Sequence, residues 1–299
     1  MLELSVVIPT YNRLDTLRYV IPSLLRSSVR SDAYEILVAD SQSNDGTAEF
    51  LAGVTREYPQ VRHLPGPYNG RAMARNAGIE AARGGVVLFT DADIIASGDL
   101  LERHLAHHRR AAGIAVVGME LQVSSYDEYE RLRRNPRLRR PLHPASRRRL
   151  SWLYFLTGNA SVGRRDLDRV GRFDETFTGY GHEDLELGFR LEQAGISILY
   201  EPRAVNYHWH PVPFDEQKAK MELAGRSTVR FFQKHPSLEV KTRLGMTPLS
   251  LVLHGALGAV PGALRGLEAL ASRGPGFSRE LVYQYHYVSG IKGALGSGR

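Results

Sequence analysis

The chain of 299 residues is long enough to bury a core of its own, either as one large α/β domain with a tail or as two small domains. It contains no cysteine, which excludes thiolate catalysis, zinc–thiolate centres and a disulfide framework, and is consistent with a reducing compartment. Its net charge of +7 and isoelectric point of about 9.6 favour an anionic partner, and nucleotide, nucleic acid or lipid headgroup would each satisfy that charge.

The first residues have the composition of a buried strand. Residues 4–8 are apolar and mostly β-branched. The few residues before them carry neither a basic region nor a small-residue cleavage site, so we expect no signal peptide and a cytoplasmic protein.

Strands and helices are predicted to alternate after this strand. Leucines and valines recur at helical spacing from Leu14 to Leu25, with Asp15 as the expected cap. The further predicted elements are a strand at 35–39, a helix at 47–58, a short strand near Val61, a helix at 71–82 and a strand at 86–90. This alternation is typical of an α/β fold with a mostly parallel, Rossmann-like sheet flanked by helices, in which ligands bind beyond the carboxyl ends of the strands.

The carboxyl-terminal part of the chain has a helical pattern. Helices are predicted at residues 215–232 and 248–271, which makes residues 211–299 a helical extension of a domain at 1–210. That domain would have a nucleotide-sugar half at 1–95 and an acceptor half at 96–210. Residues 249–264 are apolar, but His254 and Pro261 make them a poor membrane span, so an interfacial or core-packing helix is expected.

Two aspartates follow the last strand of the alternating region. Asp91 and Asp93 come directly after residues 86–90, and the two-residue period of an extended chain would place both carboxylates on one side. A hard divalent ion such as Mg²⁺ or Mn²⁺ would compensate such a pair and bridge to diphosphate oxygens. A solvated acidic turn would use the same residues, so the pair alone does not identify a metal site.

A glycine-containing loop within residues 179–191 opens a further predicted helix, which ends near Gly195. The sequence GYGHEDLELGFRL places Glu183 and Asp184 in the first turn of this helix. A helix N-terminus favours an ionised carboxylate, which is the state that a general base needs. Ordinary helix capping would account for the same acids.

The residues after the first strand argue against two classes of enzyme. Residues 9–12 read PTYN rather than the GxGxxG of a dinucleotide site, and the sequence has no GxxxxGK[ST] phosphate-binding loop. Hydride transfer and P-loop phosphotransfer are therefore unsupported. Arg71 and Arg75 lie four residues apart on one predicted helix face, where they would pair with phosphate or face solvent.

Taken in chain order, these motifs resemble the family 2 glycosyltransferases of the GT-A fold, over residues 4–210. Each motif is short, and the resemblance depends on their order and spacing. The motifs are SVVIPTYN at 5–12, DSQSNDGT at 40–47, ARNAG at 74–78, DAD at 91–93, GN at 158–159, GRFDE at 171–175, ED at 183–184 and a late histidine at 208.

The resemblance implies a set of nucleotide-binding residues. Within it, Asp40 would accept a hydrogen bond from the base, Arg75 would face the diphosphate, and Asp91 would contact ribose or metal. Ser41 stands where the family often has a second aspartate, which leaves the ribose contact open. The implied nucleotide-binding residues are Pro9, Tyr11, Asn12, Asp40, Arg71, Arg75, Asp91 and Ala92.

The resemblance also implies the catalytic and metal-binding residues. Asp184 would be the catalytic base, and Glu183 beside it would bind the acceptor or orient the site. Asp93 would be the main ligand of Mn²⁺ or Mg²⁺, with Asp91 and His208 as further ligands. His210 lies two residues after His208, so the sequence leaves open which histidine is the ligand.

The implied activity is inverting, hexosyl-type glycosyl transfer. The donor would be a nucleotide diphosphate sugar, with UDP favoured. The acceptor would be a saccharide, a lipid-linked molecule or a small molecule, as in the assembly of cell-envelope polysaccharide. The sequence specifies neither the donor sugar, nor the acceptor, nor the oligomeric state.

An arginine-rich segment lies at residues 131–149, interrupted by prolines and without an acidic residue. We interpret it as a loop that binds an anionic acceptor, a lipid phosphate or the inner face of a membrane as a peripheral contact. A solvated insertion with no specific partner explains the same composition.

Three other functions compete with glycosyl transfer. The arginines would also suit a nucleic-acid-binding protein, but the sequence lacks an interleaved aromatic platform or a recognition helix, so no nucleic acid is expected. A sugar-nucleotide pyrophosphorylase would need a glycine-rich basic loop after the first strand, where this chain has PTYN. A sugar-nucleotide-binding pseudoenzyme stays open, although Asp91, Asp93 and Asp184 together favour an enzyme.

Overall fold

The computed structural model describes residues 2–139, 148–260, 262–272, 274 and 276–296. Its strands are β1 (Leu4–Thr10), β2 (Tyr34–Asp40), β3 (Val61–Pro65), β4 (Val86–Phe89), β5 (Ile94–Ala96), β6 (Ile114–Gln122), β7 (Arg149–Leu150), β8 (Ala160–Gly163) and β9 (Ser197–His208). Its helices are α1 (Leu14–Leu25), α2 (Thr47–Glu57), α3 (Arg71–Ala81), α4 (Leu100–His108), α5 (Tyr126–Arg134), α6 (Arg164–Val170), α7 (Glu183–Gln193), α8 (Phe214–Lys234), α9 (Leu238–Arg243), α10 (Pro248–Ala259), α11 (Ala263–Ala271) and α12 (Phe277–Gly296).

The strands form one mixed sheet with the order β3-β2-β1-β4-β8-β6-β9-β5, and β7 pairs with β9 outside this path. The half that contains β3, β2, β1 and β4 is parallel, as the alternating sequence pattern predicts. In the other half β8 runs antiparallel to both β4 and β6, and β5 runs antiparallel to β9. The fold is thus an α/β sheet flanked by helices, mixed rather than parallel beyond β4.

The first strand lies in the middle of the core. All seven residues of β1 and all seven of β2 are buried, which explains their nearly continuous apolar sequence. Helix α3 packs on this pair of strands, and a Cβ built on Gly78 would lie 2.3 Å from Cγ1 of Val7. The glycine therefore permits the close approach that brings the N-terminus of α3 to the carboxyl ends of the strands.

The expected capping of α1 by Asp15 is wrong. Asp15 lies in the first turn, and the backbone N–H of Leu14 instead donates to Oδ2 of Asp45 at 2.9 Å. Asp45 follows β2, so the cap connects two loops that are adjacent only after the parallel strands have paired. Tertiary structure, rather than local sequence, supplies the acceptor.

By its contacts the chain divides into two compact units. The first consists of Met1–Thr178 and Glu183–Pro211 and contains the sheet. The second consists of Val212–Arg299 together with the short segment Gly179–His182, which the predicted division at residue 210 had assigned to the sheet domain. Of the basic segment at residues 131–149, residues 140–147 lie outside the described structure.

The second unit is built on the packing of α8 against α12. Their backbones approach closely at glycines, because a Cβ on Gly225 would meet the carbonyl of Tyr287 and one on Gly290 would meet the carbonyl of Glu222. Beside this crossing, the buried hydroxyl of Tyr287 donates to the carbonyl of Leu244 at 2.9 Å and contacts the hydroxyl of Thr228 at 2.5 Å. Thr228 also contacts Nε2 of His182, which holds the short segment on α8.

The helix predicted at residues 248–271 is two helices, α10 and α11, bent by 100° at the break. Gly262 precedes α11 with a φ of 78°, which a continuous helix cannot contain. Within the described residues, no single helix has the length and apolar composition of a membrane span. The bent pair Leu238–Ala259 and Ala263–Ala271 meets that test only when the two are taken together.

Candidate active site

A cavity of about 400 Å³ opens beyond the carboxyl ends of β1 and β4. Parallel strands end at the same edge of a sheet, so the loops that follow them form a common wall. The residues that line the cavity are Pro9, Thr10, Tyr11, Arg13, Ser41, Tyr68, Gly70, Arg71, Ala74, Asp91, Ala92 and Asp93. Six of the residues predicted from the sequence to bind nucleotide or metal are among them: Pro9, Tyr11, Arg71, Asp91, Ala92 and Asp93.

Asp40 lies at the end of β2 and is only 2% exposed. Its Oδ1 accepts hydrogen bonds from the backbone N–H and the hydroxyl of Ser43, at 3.1 and 2.6 Å. Its Oδ2 lies 3.3 Å from Nε2 of His63. The carboxylate is therefore already held by the protein, and its contact with a base stays a prediction.

Asn12 shapes the wall of the cavity through the loop after β2 and is not one of the residues that line it. Its φ of 50° is left-handed, and its side-chain oxygen accepts from the backbone N–H of Asn44 at 2.9 Å. Its own N–H donates to the hydroxyl of Ser43 at 2.8 Å. These bonds use the side chain to join two loops, so its contact with nucleotide also stays a prediction.

Arg75 occupies a different place from the one expected. Its side chain is 1% exposed, and its guanidinium donates to Asp91 Oδ1 from Nη2 at 2.8 Å and to Glu183 Oε1 from Nη1 at 2.9 Å. Burial alone would lower the pKa of Arg75, but the two carboxylates raise it, so the group stays charged. The expectation that Arg75 faces the diphosphate is corrected: Arg71, one turn earlier, lines the cavity, while Arg75 is buried between two acids.

This arginine brings the two acidic motifs together. Asp91 belongs to the loop after β4 and Glu183 to the first turn of α7, yet both contact one guanidinium. Burial raises the pKa of Asp91, but Arg75, Arg71 and His208 lower it below its ordinary value, so Asp91 is ionised. The sequence placed both motifs near a cleft but gave no sign that a buried cation joins them.

Asp184 is half-buried beside this cluster. Its Oδ1 accepts from the backbone N–H of Leu185 at 2.8 Å, as an acid in the first turn of a helix does. Burial and the adjacent Glu183 raise its pKa to about 7, against the opposing effect of Arg75. The expectation that the helix N-terminus keeps this carboxyl ionised is therefore wrong. Burial beside a like charge outweighs the helix dipole and gives a group that exchanges its proton near neutral pH.

Asp93 faces both late histidines. Its Oδ1 lies 3.4 Å from Nε2 of His208, and its Oδ2 lies 3.7 Å from Nδ1 of His210. Nδ1 of His208 lies 3.2 Å from Oε1 of Glu120. Burial alone would lower the pKa of His208, but the ion pairs with Asp93 and Glu120 raise it to about 10. Across the described residues, no three His, Asp or Glu side chains are arranged closely enough to enclose a metal ion.

The sequence profile of glycosyl transferase family 2 matches residues 5–171, more than half of the chain. The chain belongs to this family. A second profile, described as the N-terminal domain of galactosyltransferase, matches residues 142–209.

A curated relative of this family 2 chain is the validoxylamine A glucosyltransferase of Streptomyces hygroscopicus subsp. jinggangensis. It is 30% identical over an alignment of 266 positions that covers 79% of this chain. The match covers 61% of the relative's own length, so this chain spans less than two thirds of it.

Two solved structures share the GT-A fold of this family 2 chain. The mannosyltransferase PcManGT from Pyrobaculum calidifontis, in complex with GDP-Man and Mn²⁺, has a TM-score of 0.68 at 20% identity and covers 99% of this chain and 88% of its own. GalNAc-T7 with UDP, GalNAc and Mn²⁺ has a TM-score of 0.61 at 18% identity and covers 78% of this chain and 48% of its own.

Several residues of the site had no role predicted from the sequence. Thr10 lines the cavity, is 4% exposed, and its hydroxyl has no hydrogen-bond partner among the described residues. Tyr68 and Gly70 reach the cavity from the turn before α3, and the glycine-rich sequence there was the available signal. Glu120 lies on β6, and nothing in its local sequence pointed to His208.

Proposed function

We propose that this protein transfers a sugar from a nucleotide diphosphate sugar to an acceptor hydroxyl with inversion at the anomeric carbon. The observation that carries the proposal is the pair of charge-assisted bonds from Arg75 to Asp91 and Glu183. This pair of bonds brings Asp91, which lines the cavity, close to the first turn of α7, where Asp184 has the properties of a base. Membership of glycosyl transferase family 2 supports the same reaction.

The proposed reaction is a single displacement. Asp184 accepts the proton of the acceptor hydroxyl, the hydroxyl oxygen forms a bond to the anomeric carbon, and the bond from that carbon to the diphosphate oxygen breaks. The proton ends on the carboxylate and the electron pair on the departing diphosphate. A pKa of about 7 suits a group that must be ionised before the reaction and protonated after it.

The cavity residues would hold the donor. Arg71 lies at the N-terminus of α3, where the helix dipole adds to its charge in attracting a diphosphate. Tyr11 lines the cavity directly after β1, is 59% exposed and would offer an aromatic face to the base. Asp40 would reach the base only if the base takes the place of His63 or Ser43 at its carboxylate.

The side chains around Asp93 are of the chemical type that binds a divalent metal, although no three of them within the described residues are close enough to enclose an ion. Carboxylate oxygens and imidazole nitrogens are ligands of Mn²⁺, and the two imidazoles already face the same carboxylate. We propose that Asp93 and His208 hold the ion, with Asp91 and His210 as the adjacent ligands; the ion would displace the proton that the ion pairs with Asp93 and Glu120 hold on His208. When bound, the ion would compensate the negative charge of the diphosphate.

UDP is the favoured nucleotide. GalNAc-T7, a structural neighbour, is solved with UDP, and PcManGT is solved with GDP-Man, so both bases occur on this fold.

Residues 131–139 of the basic segment are less free to bind an anion than their sequence suggests, because Arg131, Arg133 and Arg134 pair with Glu128 or Glu130 in α5. We propose a cytoplasmic site of action for this reaction.

Substitution of the base tests the proposal. Asp184→Asn should lower the release of nucleotide from the preferred sugar nucleotide by about 10²- to 10⁴-fold. The preferred donor would be found by assaying nucleotide release from a panel of UDP- and GDP-sugars with Mn²⁺ and saccharide acceptors. Calorimetry should show that Asp184→Asn binds the nucleotide with nearly unchanged affinity. Asp166→Asn changes a first-turn acid of α6 and should leave turnover intact. Near-normal turnover in Asp184→Asn would remove Asp184 from the mechanism.

A further inference from the structure

Helix α10 is apolar on all sides. Its twelve residues, PLSLVLHGALGA, contain no Asp, Glu, Lys or Arg, and the whole stretch from residue 244 to residue 264 is free of these four residue types. An α-helix that is apolar all round is normally enclosed by protein or by lipid. None of the residues of α10 is buried.

One face of α10 packs on the helical unit. Its His254 stacks on the ring of Tyr285 with centroids 4.3 Å apart and bonds to the hydroxyl of Ser289 at 2.8 Å. Nζ of Lys292 lies 3.0 Å from the other ring nitrogen. These contacts to α12 fix which face of α10 points inward.

The opposite face is open. Leu249, Val252 and Leu253 are 67, 66 and 59% exposed, and their spacing places them on one side of the helix; Val260, directly after its end, is 56% exposed. We call this set the α10 face. An exposed row of large aliphatic side chains on a helix that is already anchored on its other side marks an interaction surface rather than a core face.

The surroundings of the α10 face are basic. Residues 212–299 contain twelve Lys and Arg against six Asp and Glu, so they carry nearly all of the net charge of +7. Exposed Lys241 and Arg243 come directly before the charge-free stretch, and exposed Arg265 comes directly after it. An apolar face flanked by cations fits the boundary between anionic lipid headgroups and acyl chains.

The length of α10 distinguishes lying on a membrane from crossing it. Twelve residues at about 1.5 Å each span roughly 18 Å, short of the ~30 Å hydrocarbon core of a bilayer. We propose that the α10 face docks this protein on the surface of an anionic bilayer, with the four aliphatic side chains in the acyl region and the flanking basic residues at the phosphates.

Flotation with vesicles tests this surface. The full chain should bind vesicles that contain phosphatidylglycerol and bind neutral phosphatidylcholine vesicles more weakly. The double variant Val252→Glu plus Leu253→Glu should lower binding to the anionic vesicles by about tenfold or more, because two charges would enter the apolar layer. Leu223→Glu is the matched control, since Leu223 is an exposed leucine of α8 that is 42% exposed, and it should bind as the unchanged chain does.

Two measurements decide against the proposal. If the unchanged chain does not float with anionic vesicles, or if the double variant floats equally well, the α10 face does not dock on lipid. If size-exclusion chromatography shows the unchanged chain as a dimer and the double variant as a monomer, the face joins two copies of the chain instead. The double variant should release nucleotide from a sugar nucleotide at the normal rate in solution, so this test is separate from that of the proposed activity.

Discussion

At the scale of single residues, the properties of Asp184 come from its neighbours. Its pKa of about 7 means that the folded protein holds this proton at pH values where the unfolded chain, with an ordinary aspartate, has lost it. The folded state therefore binds more protons between about pH 4 and pH 7, and the contribution of this group to stability falls as the pH rises through that window. Ionisation of Asp184 therefore lowers the free energy of unfolding, although a catalytic base must be ionised to accept a proton.

Removing that charge should stabilise the protein in a pH-dependent way. We expect Asp184→Asn to have a higher melting temperature than the unchanged chain near pH 8, because the amide cannot ionise. Near pH 4 the difference should be smallest, since Asp184 is then protonated in the folded protein and about half protonated in the unfolded chain, so little of its cost remains. Thermal denaturation at several pH values measures this, and an equal difference at both pH values would contradict the raised pKa.

The same shift predicts the acid side of the activity profile. The value of kcat/KM should fall as the pH drops below about 7, since a protonated carboxyl cannot accept the acceptor proton. Initial rates of nucleotide release across pH 5 to 9 would show the fall, which approaches tenfold for each pH unit because a single proton is taken up. A profile that stays flat to pH 5 would mean that the base has an ordinary pKa.

Arg75 is the residue on which the cluster depends most. Arg75→Met should destabilise the fold by about 3–5 kcal/mol, because it leaves the carboxylates of Asp91 and Glu183 near each other without a cation. Arg75→Lys should recover part of the loss, because lysine keeps the positive charge. The recovery should be incomplete, because an ammonium cannot bond to both acids in the geometry of a guanidinium fork. Urea denaturation measures both variants. Arg56→Met, at an exposed arginine of α2, should stay within about 0.5 kcal/mol of the unchanged chain.

At the scale of secondary structure, the approach of α3 to β1 sets the position of Arg71 and Arg75. Gly78→Ala would place a methyl group 2.3 Å from Cγ1 of Val7 at a buried strand. We expect it to destabilise the protein by about 1–3 kcal/mol through overpacking. Gly53→Ala lies in α2 with nothing within 4 Å of the added methyl, so it should stabilise by about 0.5–1 kcal/mol. Denaturant titrations measure the change in the free energy of unfolding for both variants. Opposite signs would confirm that packing against Val7, rather than the replacement of glycine by alanine itself, determines the effect at residue 78.

Hydrogen bonds also join the loops that follow β1 and β2. Asn12 bonds to Ser43 and Asn44 of the loop after β2, and Asp45 of that loop accepts from the backbone N–H of Leu14 and so caps α1. Slight desolvation would raise the pKa of Asp45, but hydrogen bonds from Thr47 and Leu14 hold it below its ordinary value. The cavity wall is therefore preorganised before any ligand arrives.

At the scale of the whole molecule, a ligand that binds only the folded state raises the melting temperature of the protein. A nucleotide diphosphate at a hundredfold excess over its Kd stabilises by about 2.7 kcal/mol, which corresponds to roughly 5–10 °C for a chain of this size. We expect the rise with UDP to require Mn²⁺ and to be lost in Asp93→Ala. UDP with and without Mn²⁺, GDP and Mn²⁺ alone are the arms of this thermal-shift measurement. An equal rise without metal would remove the metal from nucleotide binding.

The alternation of apolar runs predicted the parallel half of the sheet, since the periods of strands and helices are properties of the local chain. Order and spacing likewise indicated the family and placed Pro9, Tyr11, Arg71, Asp91 and Asp93 near one cavity. Local sequence did not contain what depends on contacts between distant segments. The mixed half of the sheet, the cap that Asp45 gives to α1 and the pairing of Asp93 with two histidines all arise from residues that meet only when the chain has folded.

The buried Arg75 shows the same division most clearly. The arginine of the motif ARNAG was predicted to face the diphosphate or solvent, because its helical spacing from Arg71 fits either position. Tertiary structure decided otherwise, since burial beside Asp91 and Glu183 replaces water with two carboxylates. The raised pKa of Asp184 has in large part the same origin, because its largest cause is burial by the folded chain, while the adjacent Glu183 is the one contribution that the local sequence contains.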